Sequence, residues 1–286
     1  INVDIKEMIQ QLKTVLLLGI LTALLLLIGS FFGLNGLTVA FILAVVMNFG
    51  SYFFSHKIVL FMYRASEASE SEKPRLHHIV ASIAREMDLP KPKIYVIPAD
   101  HLNAFATGPS PKKSVVAFTR GIIEKLPEKE LRGVVAHELA HIKNRDVLIA
   151  TIAATIAAVI SYVAYIARWA AIFGSGGRNR DSSVIELLLL SLIAPLVAVI
   201  IQLAISRARE YHADATGALT IKDPLALASA LERLEKESKI NPLGFGNAAT
   251  SSLFIVRPFR GSGLLNLLST HPPVAERARR LREMKI

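Results

Sequence analysis

Apolar residues fall in four long runs, uncharged but for Glu186 near one end of the last, and between them polar and apolar positions alternate at helical and strand spacings. The runs cover 14–32, 37–54, 147–167 and 184–206. Each approaches the roughly 20 residues that a bilayer-spanning helix needs. The first, "TVLLLGILTALLLLIGSFF", lacks the short apolar core and small-residue cleavage site of a signal peptide and reads as a retained anchor. Gly33-Leu34-Asn35-Gly36 is a minimal turn, so the first two runs predict a tight hairpin, closed at His56 and Lys57. The last two runs predict a second hairpin around the polar connection "FGSGGRNRDSS".

Two water-compatible pieces remain, 62–146 and 207–286. The first opens on the charged, Ser-rich "RASEASESEKPR", which reads as a linker. Leu76, Ile79, Val80, Ile83 and Met87 then recur at spacings of three and four, predicting a helix. "KIYVI" and "SVVAFT" predict short strands on either side of the turn-rich "NAFATGPSPKK". "PEKELRGVVAHELAHIKN" predicts a helix with Pro127 near its first turn and acidic residues at its positive end. In the second piece "PLALASALERLEKES" is the clearest amphipathic segment. No internal repeat is visible.

Composition agrees with this pattern. The 286 residues are 52% hydrophobic but only 7% aromatic, so the apolar excess is aliphatic and lies in the four runs. The absence of Cys excludes disulfides and Cys-ligated metal. The net charge of +10 comes without a basic stripe interleaved with aromatics, which argues against nucleic acid and for a surface beside anionic headgroups.

Candidate chemistry sits in "VVAHELAHIKNRD". His137 and His141 are four apart, so on a helix both imidazoles leave one face and reach a single ion. Glu138 is about 100° around the helix, poorly placed as a ligand but close enough to take a proton from water at the metal. The apolar flanks Val134, Val135, Ala136, Leu139, Ala140 and Ile142 predict burial, where two His and a Glu without a function are costly. Asn144 shares the face of His137 and His141 and is a candidate to orient them.

A catalytic zinc site takes three protein ligands and leaves one position open. Position 147 is Val, which closes the extended motif that puts a third His six residues on. "SRAREYHADATG" supplies alternatives. Glu210 and Asp214 are four apart, with Arg207 three before Glu210, so the three share a helix face. Glu210 is preferred as third ligand, with Asp214 behind it or at the leaving group and Arg207 orienting either carboxylate; His212 is the alternative.

"HELAHIKNRD" and "SRAREYHAD", separated by a hydrophobic hairpin, with "NAFATG" before and "STHPP" after, resemble the HtpX-type membrane zinc metalloproteases. That group sits within a larger one that includes the CAAX prenyl proteases. The resemblance covers nearly the whole chain and implies one zinc ion on His137, His141 and Glu210, with Glu138 as base. It implies a proton-donor role for Asp214, a cleft bordered by 103–108 (hence Asn103, Ala104 and Phe105), and an oxyanion-stabilising role for His271. It also implies a stress-linked, quality-control range of protein substrates.

The expected fold is mainly α and integral to the membrane, with four transmembrane helices in two hairpins and a cytoplasmic α+β, zincin-like catalytic domain with a small sheet. The expected divisions are 1–61 for the first hairpin, 62–146 for the HExxH part, 147–206 for the second hairpin and 207–286 for the part bearing Glu210. Both catalytic pieces must share one side. Lys6, Lys13, Lys57, Arg64, Lys143, Arg145, Arg207 and Arg209 outnumber Arg178 and Arg180, which puts that side and both termini in the cytoplasm of a cell or inner membrane. The expected partners are membrane-protein substrates, added as a strand beside 114–119 or the region just before it, and the lipid bilayer, with no nucleic acid. A CAAX-type processing protease is disfavoured by only four spans, and a non-proteolytic zinc scaffold or chaperone by the presence of Glu138.

Overall fold

The computed structural model describes residues 33–144, 146, 207–240, 255 and 272–285, together with residues 19, 22, 23, 25–27, 29 and 30. The expected spans at 147–167 and 184–206, most of 14–32, and His271 lie outside these residues.

Helix α1 runs Gly33–Met62. Leu34, Asn35 and Gly36, expected as a turn, are helical, and the helix continues well past Lys57. Its window Gly33–Gly50 has a mean hydropathy of 1.7, long and apolar enough to cross a membrane. Leu34, Val39, Phe41, Ile42, Val46 and Phe49 are all exposed. A helix that shows apolar side chains all round to its surroundings has no aqueous-facing stripe. Thr22 and Gly29 of the preceding run lie against it. Asn48 Nδ2 donates to Thr22 Oγ1 at 2.7 Å, and a Cβ on Gly29 would collide with Ala40 and Gly36.

Beyond α1 the chain is mainly helical with a small mixed sheet. In order come β1 Ser66–Glu67, α2 Pro74–Glu86, β2 Lys93–Ile97, β3 Ala104–Thr107, β4 Val115–Thr119, α3 Arg120–Lys125, α4 Glu128–Lys143, α5 Arg207–Ile221, α6 Pro224–Ile240 and α7 Val274–Arg282. The strand order is β1-β2-β4-β3, with β2 parallel to β4 and both outer strands antiparallel to their neighbours.

Three sequence expectations change here. "RASEASESEKPR" is not only a linker: Ser66 and Glu67 pair with Val96 and Tyr95, and the Ala68 carbonyl meets His77 Nε2 at 2.9 Å. His77 is therefore buried. "NAFATG" is not a turn from its start, since Ala104–Thr107 form β3, and the turn begins at Gly108 with φ +135°. Four residues, two of them alanine, carry too little β preference to announce a strand; pairing with β4 creates it. Finally, 114–119 is not an edge. β4 is interior, and β3, the region just before it, is an edge strand of the sheet among the described residues, as β1 is on the other side.

The sheet divides two cores. On one face α2, α4, α5, α6 and α7 pack around Ile79, Ile83, Phe118, Val134 and Leu231. On the other, Val59 and Leu60 from the end of α1 and Tyr63 just past it cover Ile97, Phe105, Val115 and Ala117. The long apolar helix is thus fastened to the strand that carries Phe105, whose ring lies 5.7 Å from that of Tyr63.

Helix α4 is the hub. A Cβ on Gly133 would lie 2.9 Å from Leu227 Cα, and one on Gly217 would lie 3.0 Å from His137 N. Only hydrogen at these positions lets α5 and α6 approach the α4 backbone so closely. Glu130 of α4 accepts from Ser229 and Arg233 of α6 at 2.6–3.1 Å, pinning the same junction.

Candidate metal centre

His137, Glu138 and His141 leave α4 where it is wrapped by β3, α5 and α7, and Glu210 arrives from the first turn of α5. His137 Nε2 and His141 Nε2 are 3.2 Å apart. Glu210 Oε2 is 3.7 Å from the first, and Oε1 is 3.6 Å from the second. Donors about 2.0–2.2 Å from one tetrahedral zinc ion stand about 3.3–3.6 Å from one another. The two Glu210 distances run to different oxygens, and one donor atom from each of the three groups lies within 4.8 Å of the others, close enough to close on one ion. His212 is exposed and lies outside this trio.

The field at the centre also fits a cation. Among the described residues, the carboxylates of Glu138, Asp146, Glu210 and Asp214 are buried around it, against the guanidinium groups of Arg277 and Arg209. Two negative charges are left for a divalent ion to balance. His141 registers the same imbalance. Burial by itself lowers its pKa, but the hydrogen bond to Asp146 and the charges of Glu210 and Glu138 outweigh burial and carry it up to about 9. A site that draws a proton onto a buried imidazole is one that a metal ion can occupy in the proton's place.

Each histidine has an aspartate on its other ring nitrogen. Asp214 Oδ1 is 3.0 Å from His137 Nδ1, and Asp146 Oδ2 is 3.4 Å from His141 Nδ1. This is the arrangement that fixes a ligating imidazole's tautomer and aim. For His141 the partner is Asp146 rather than Asn144, which caps the end of α4. Helix periodicity pointed to Asn144; Asp146 lies past the helix end, where the chain turns back so that its N–H donates to the His141 carbonyl.

Asp214 itself is held by Arg277 of α7. Nε donates to Oδ2 at 2.8 Å and Nη2 to Oδ1 at 2.7 Å. Burial acts to raise the Asp214 carboxyl, but Arg277 and then His137 outweigh it and bring it to about 2. Helical spacing points to Arg207, at the first position of α5, as the cation beside these carboxylates, and the structure puts Arg277 on Asp214. The sequence of α7 carries a signal for it. Val274, Arg277, Ala278 and Leu281 form the buried stripe of α7, so an arginine stands in an apolar series.

Glu138 is buried beside the metal trio and accepts a hydrogen bond from the Ala106 N–H of β3. Burial is the largest influence and raises its pKa; His137 and His141 pull against it without overcoming it. Because Ala106 N–H points at Glu138, it points away from β4. By the twofold alternation of a strand, the main chain of Ala104 faces the same free edge. The side chains of Ala104 and Phe105 are buried in opposite cores, so the strand offers only its backbone here. At its start, buried Asn103 accepts from Ile255 N–H through Oδ1 at 3.3 Å. Among the described residues Asn103 Nδ2 has no hydrogen-bond partner.

Residues 70–285 match the model of peptidase family M48. Among curated proteins, the HtpX protease homologue of Syntrophobacter fumaroxidans is 48% identical over 279 residues, covering 96% of this chain and 99% of that protein. The homologue of Persephonella marina is 52% identical over 280 residues, with 96% of each chain covered, and that of Thermodesulfovibrio yellowstonii 52% over 278 residues, with 96% and 98% covered. Among solved structures, the crystal structure of S. mikatae Ste24p aligns with 97% of this chain at a TM-score of 0.51 and 21% identity. The chain spans 66% of the length of that protein, and the likeness is one of fold.

Proposed function

The chain belongs to peptidase family M48 and is a metalloprotease, and from that premise we propose that it is an integral membrane zinc endopeptidase that cleaves membrane and misfolded proteins at the cytoplasmic face. The observation that carries the reading is the convergence of His137, His141 and Glu210 within 4.8 Å, with Glu138 between them and a free strand edge.

His137, His141 and Glu210 would hold the zinc ion. When bound it supplies Lewis acidity, acidifying water and polarising a peptide carbonyl. Glu138 is the group that moves the proton. Its buried carboxylate has a raised proton affinity, and the Ala106 N–H holds it in place. It takes a proton from the attacking water as the new C–O bond forms and passes it to the amine nitrogen as the C–N bond breaks. Asp214, clamped by Arg277 with its carboxyl at about 2, holds no proton at neutral pH; its work is to orient His137. His271 keeps the oxyanion role that the resemblance implies.

An extended substrate would pair with the outer edge of β3, where backbone groups of Ala104 and Ala106 face the centre. Asn103 Nδ2, buried and without a partner among the described residues, is a donor at the start of that edge. Backbone recognition of this kind reads conformation more than side chains, which suits a range of unfolded substrates.

The membrane arrangement rests on four apolar runs in the sequence, of which α1 is an exposed apolar helix of sufficient length. The proposed domains are the hairpins 1–61 and 147–206 and the catalytic parts 62–146 and 207–286. The second hairpin is then an insertion between the zinc ligands on α4 and α5, holding the site at the bilayer surface with both termini in the cytoplasm.

Glu138→Gln, purified in detergent with zinc restored and assayed on casein, tests the mechanism. The expected loss in kcat is about 10²–10⁴-fold at unchanged zinc content. Cleavage at the wild-type rate would remove Glu138 from the chemistry. A reporter fused after Ile286 that reads out on the far side of the membrane would overturn the orientation.

A further inference from the structure

Arg277 is the largest fully buried side chain among the described residues, with 0% of its surface exposed. A buried guanidinium is costly unless every direction of its fork is answered. Here each is. Nε and Nη2 grip Asp214 in two parallel hydrogen bonds, Nη1 lies 3.3 Å from Glu210 Oε2, and Nη1 also donates to the Ile255 carbonyl at 3.0 Å. Burial alone would make the charge harder to keep, but Asp214, Glu210 and Glu138 hold it firmly cationic.

Those partners are not a random set. Asp214 orients His137, Glu210 supplies a donor oxygen of the trio, and Nη2 also lies 3.5 and 3.4 Å from His137 Nδ1 and Nε2, so one side chain touches two of the three candidate ligands and the support of one. The remaining contact runs elsewhere. Ile255, whose carbonyl accepts from Arg277, donates its own N–H to Asn103 Oδ1 at the head of the free strand. A continuous path therefore runs from Asn103 through the Ile255 peptide to Arg277, and on to Asp214 and His137.

We propose that Arg277 is a positioning residue that aligns the metal ligands His137 and Glu210 and ties their geometry to the substrate-facing start of β3. The proposal rests on the metal-site reading above. Arg277 has two jobs. It fixes Asp214 in the one orientation that accepts from His137 Nδ1–H, which sends Nε2 toward the ion. It also stands between the Asp214 and Glu210 carboxylates, which would otherwise repel each other at close range. Lysine cannot substitute, because a point charge grips one carboxylate oxygen and lacks the fork that reaches Asp214, Glu210 and the Ile255 carbonyl together.

The test uses the full-length protein in detergent, stripped of metal and titrated with Co²⁺. The readouts are the visible d–d spectrum, affinity by chelator competition, and kcat and KM on a casein-derived peptide. Three variants are compared with the wild type: Arg277→Lys, the charge-free pair Arg277→Met with Asp214→Leu, and Glu210→Ala. Both Arg277 variants are expected to keep the native circular dichroism, bind Co²⁺ at least tenfold more weakly, show an altered d–d band, and lose at least tenfold in kcat. KM is expected to rise severalfold as well, since the start of β3 is released.

A wild-type Co²⁺ spectrum and affinity in either Arg277 variant would overturn the proposal, as would a loss of native circular dichroism in both that Co²⁺ does not restore, which would make Arg277 a residue of the fold. If the wild type binds no Co²⁺, or Glu210→Ala binds it equally well, the metal-site reading itself fails. The two failures are thus told apart.

Discussion

Gly217 of α5 faces the main-chain nitrogen of His137 so closely that a Cβ there would sit 3.0 Å away. Helix α5 carries Glu210 and α4 carries both histidines, so this contact sets the separation between the parts of the metal centre. Gly217→Ala gains up to about 1 kcal/mol of helix propensity but meets backbone that cannot swing aside, an overpacking cost of about 1–3 kcal/mol. The expected outcome is weaker metal binding, measured by chelator competition, with a net loss of up to about 2 kcal/mol in stability, read as a lower melting temperature. Gly217→Val should lose more of both.

Metal removal should inactivate and destabilise together. A chelator such as 1,10-phenanthroline is expected to abolish casein cleavage and lower the melting temperature, and excess zinc should restore both, because a ligand bound only by the native state stabilises it by mass action. Glu210→Ala should lower zinc content by elemental analysis, while His212→Ala, an exposed residue outside the trio, should leave it unchanged.

The hydrogen bond from Ala106 N–H to Glu138 offers a way to disturb the base without touching a ligand. Ala106→Pro deletes that donor. Because this N–H faces the free edge and not β4, the sheet ladder keeps its bonds, and proline is tolerated on edge strands. The expected result is a fall in kcat of at least tenfold with zinc content retained. Equal loss of zinc would show that the change had reached the ligands.

Glu130 tests the junction of α4 with α6. Its buried carboxylate accepts from Ser229 Oγ and from the Arg233 fork. Glu130→Ala should destabilise by about 1–3 kcal/mol, read as a lower melting temperature in detergent. Arg233→Ala should cost at least as much, since it leaves the buried Glu130 carboxylate with only the Ser229 hydroxyl to answer it, whereas a half-exposed Arg233 left by Glu130→Ala can return to water.

His101 predicts a pH effect. Burial lowers its pKa to about 4, with Asp100 opposing weakly. The unfolded chain takes up this proton near pH 6.5 and the folded one only near pH 4, so the folded state loses ground as pH falls through that window and none above it. The side chain remains partly exposed, which limits the contribution to about 1 kcal/mol. His101→Gln should flatten the dependence of melting temperature on pH between 4 and 6.5.

Local patterns in the chain were readable because they need no partner. The stripe Leu76, Ile79, Val80, Ile83 announced α2, and "KIYVI" and "VVAFT" announced β2 and β4, because backbone geometry imposes those periods on any helix or strand that buries one face. Four-residue spacing put His137 with His141 and Glu210 with Asp214. The likeness of the HExxH and Glu-bearing segments to the HtpX-type group agreed with the family match.

Other features depended on contacts between distant segments. β3 is four short residues that become a strand only against β4, and β1 lies inside what composition alone describes as a charged linker. Helical spacing nominated Arg207 and Asn144 as supports for the site, because a sequence reads neighbours along one helix. The groups found on Asp214 and His141 are Arg277, 63 positions further on, and Asp146, past the end of the helix.

The sequence by itself determined the chemistry: two imidazoles and a carboxylate on local helical spacing, a base beside them, and apolar runs long enough for a bilayer. Tertiary structure decided which strand lies free beside the base and which arginine neutralises which carboxylate. The physical reason is range: periodicity is set within a few residues by backbone geometry, whereas a buried charge takes its partner from whatever packing brings within hydrogen-bond reach.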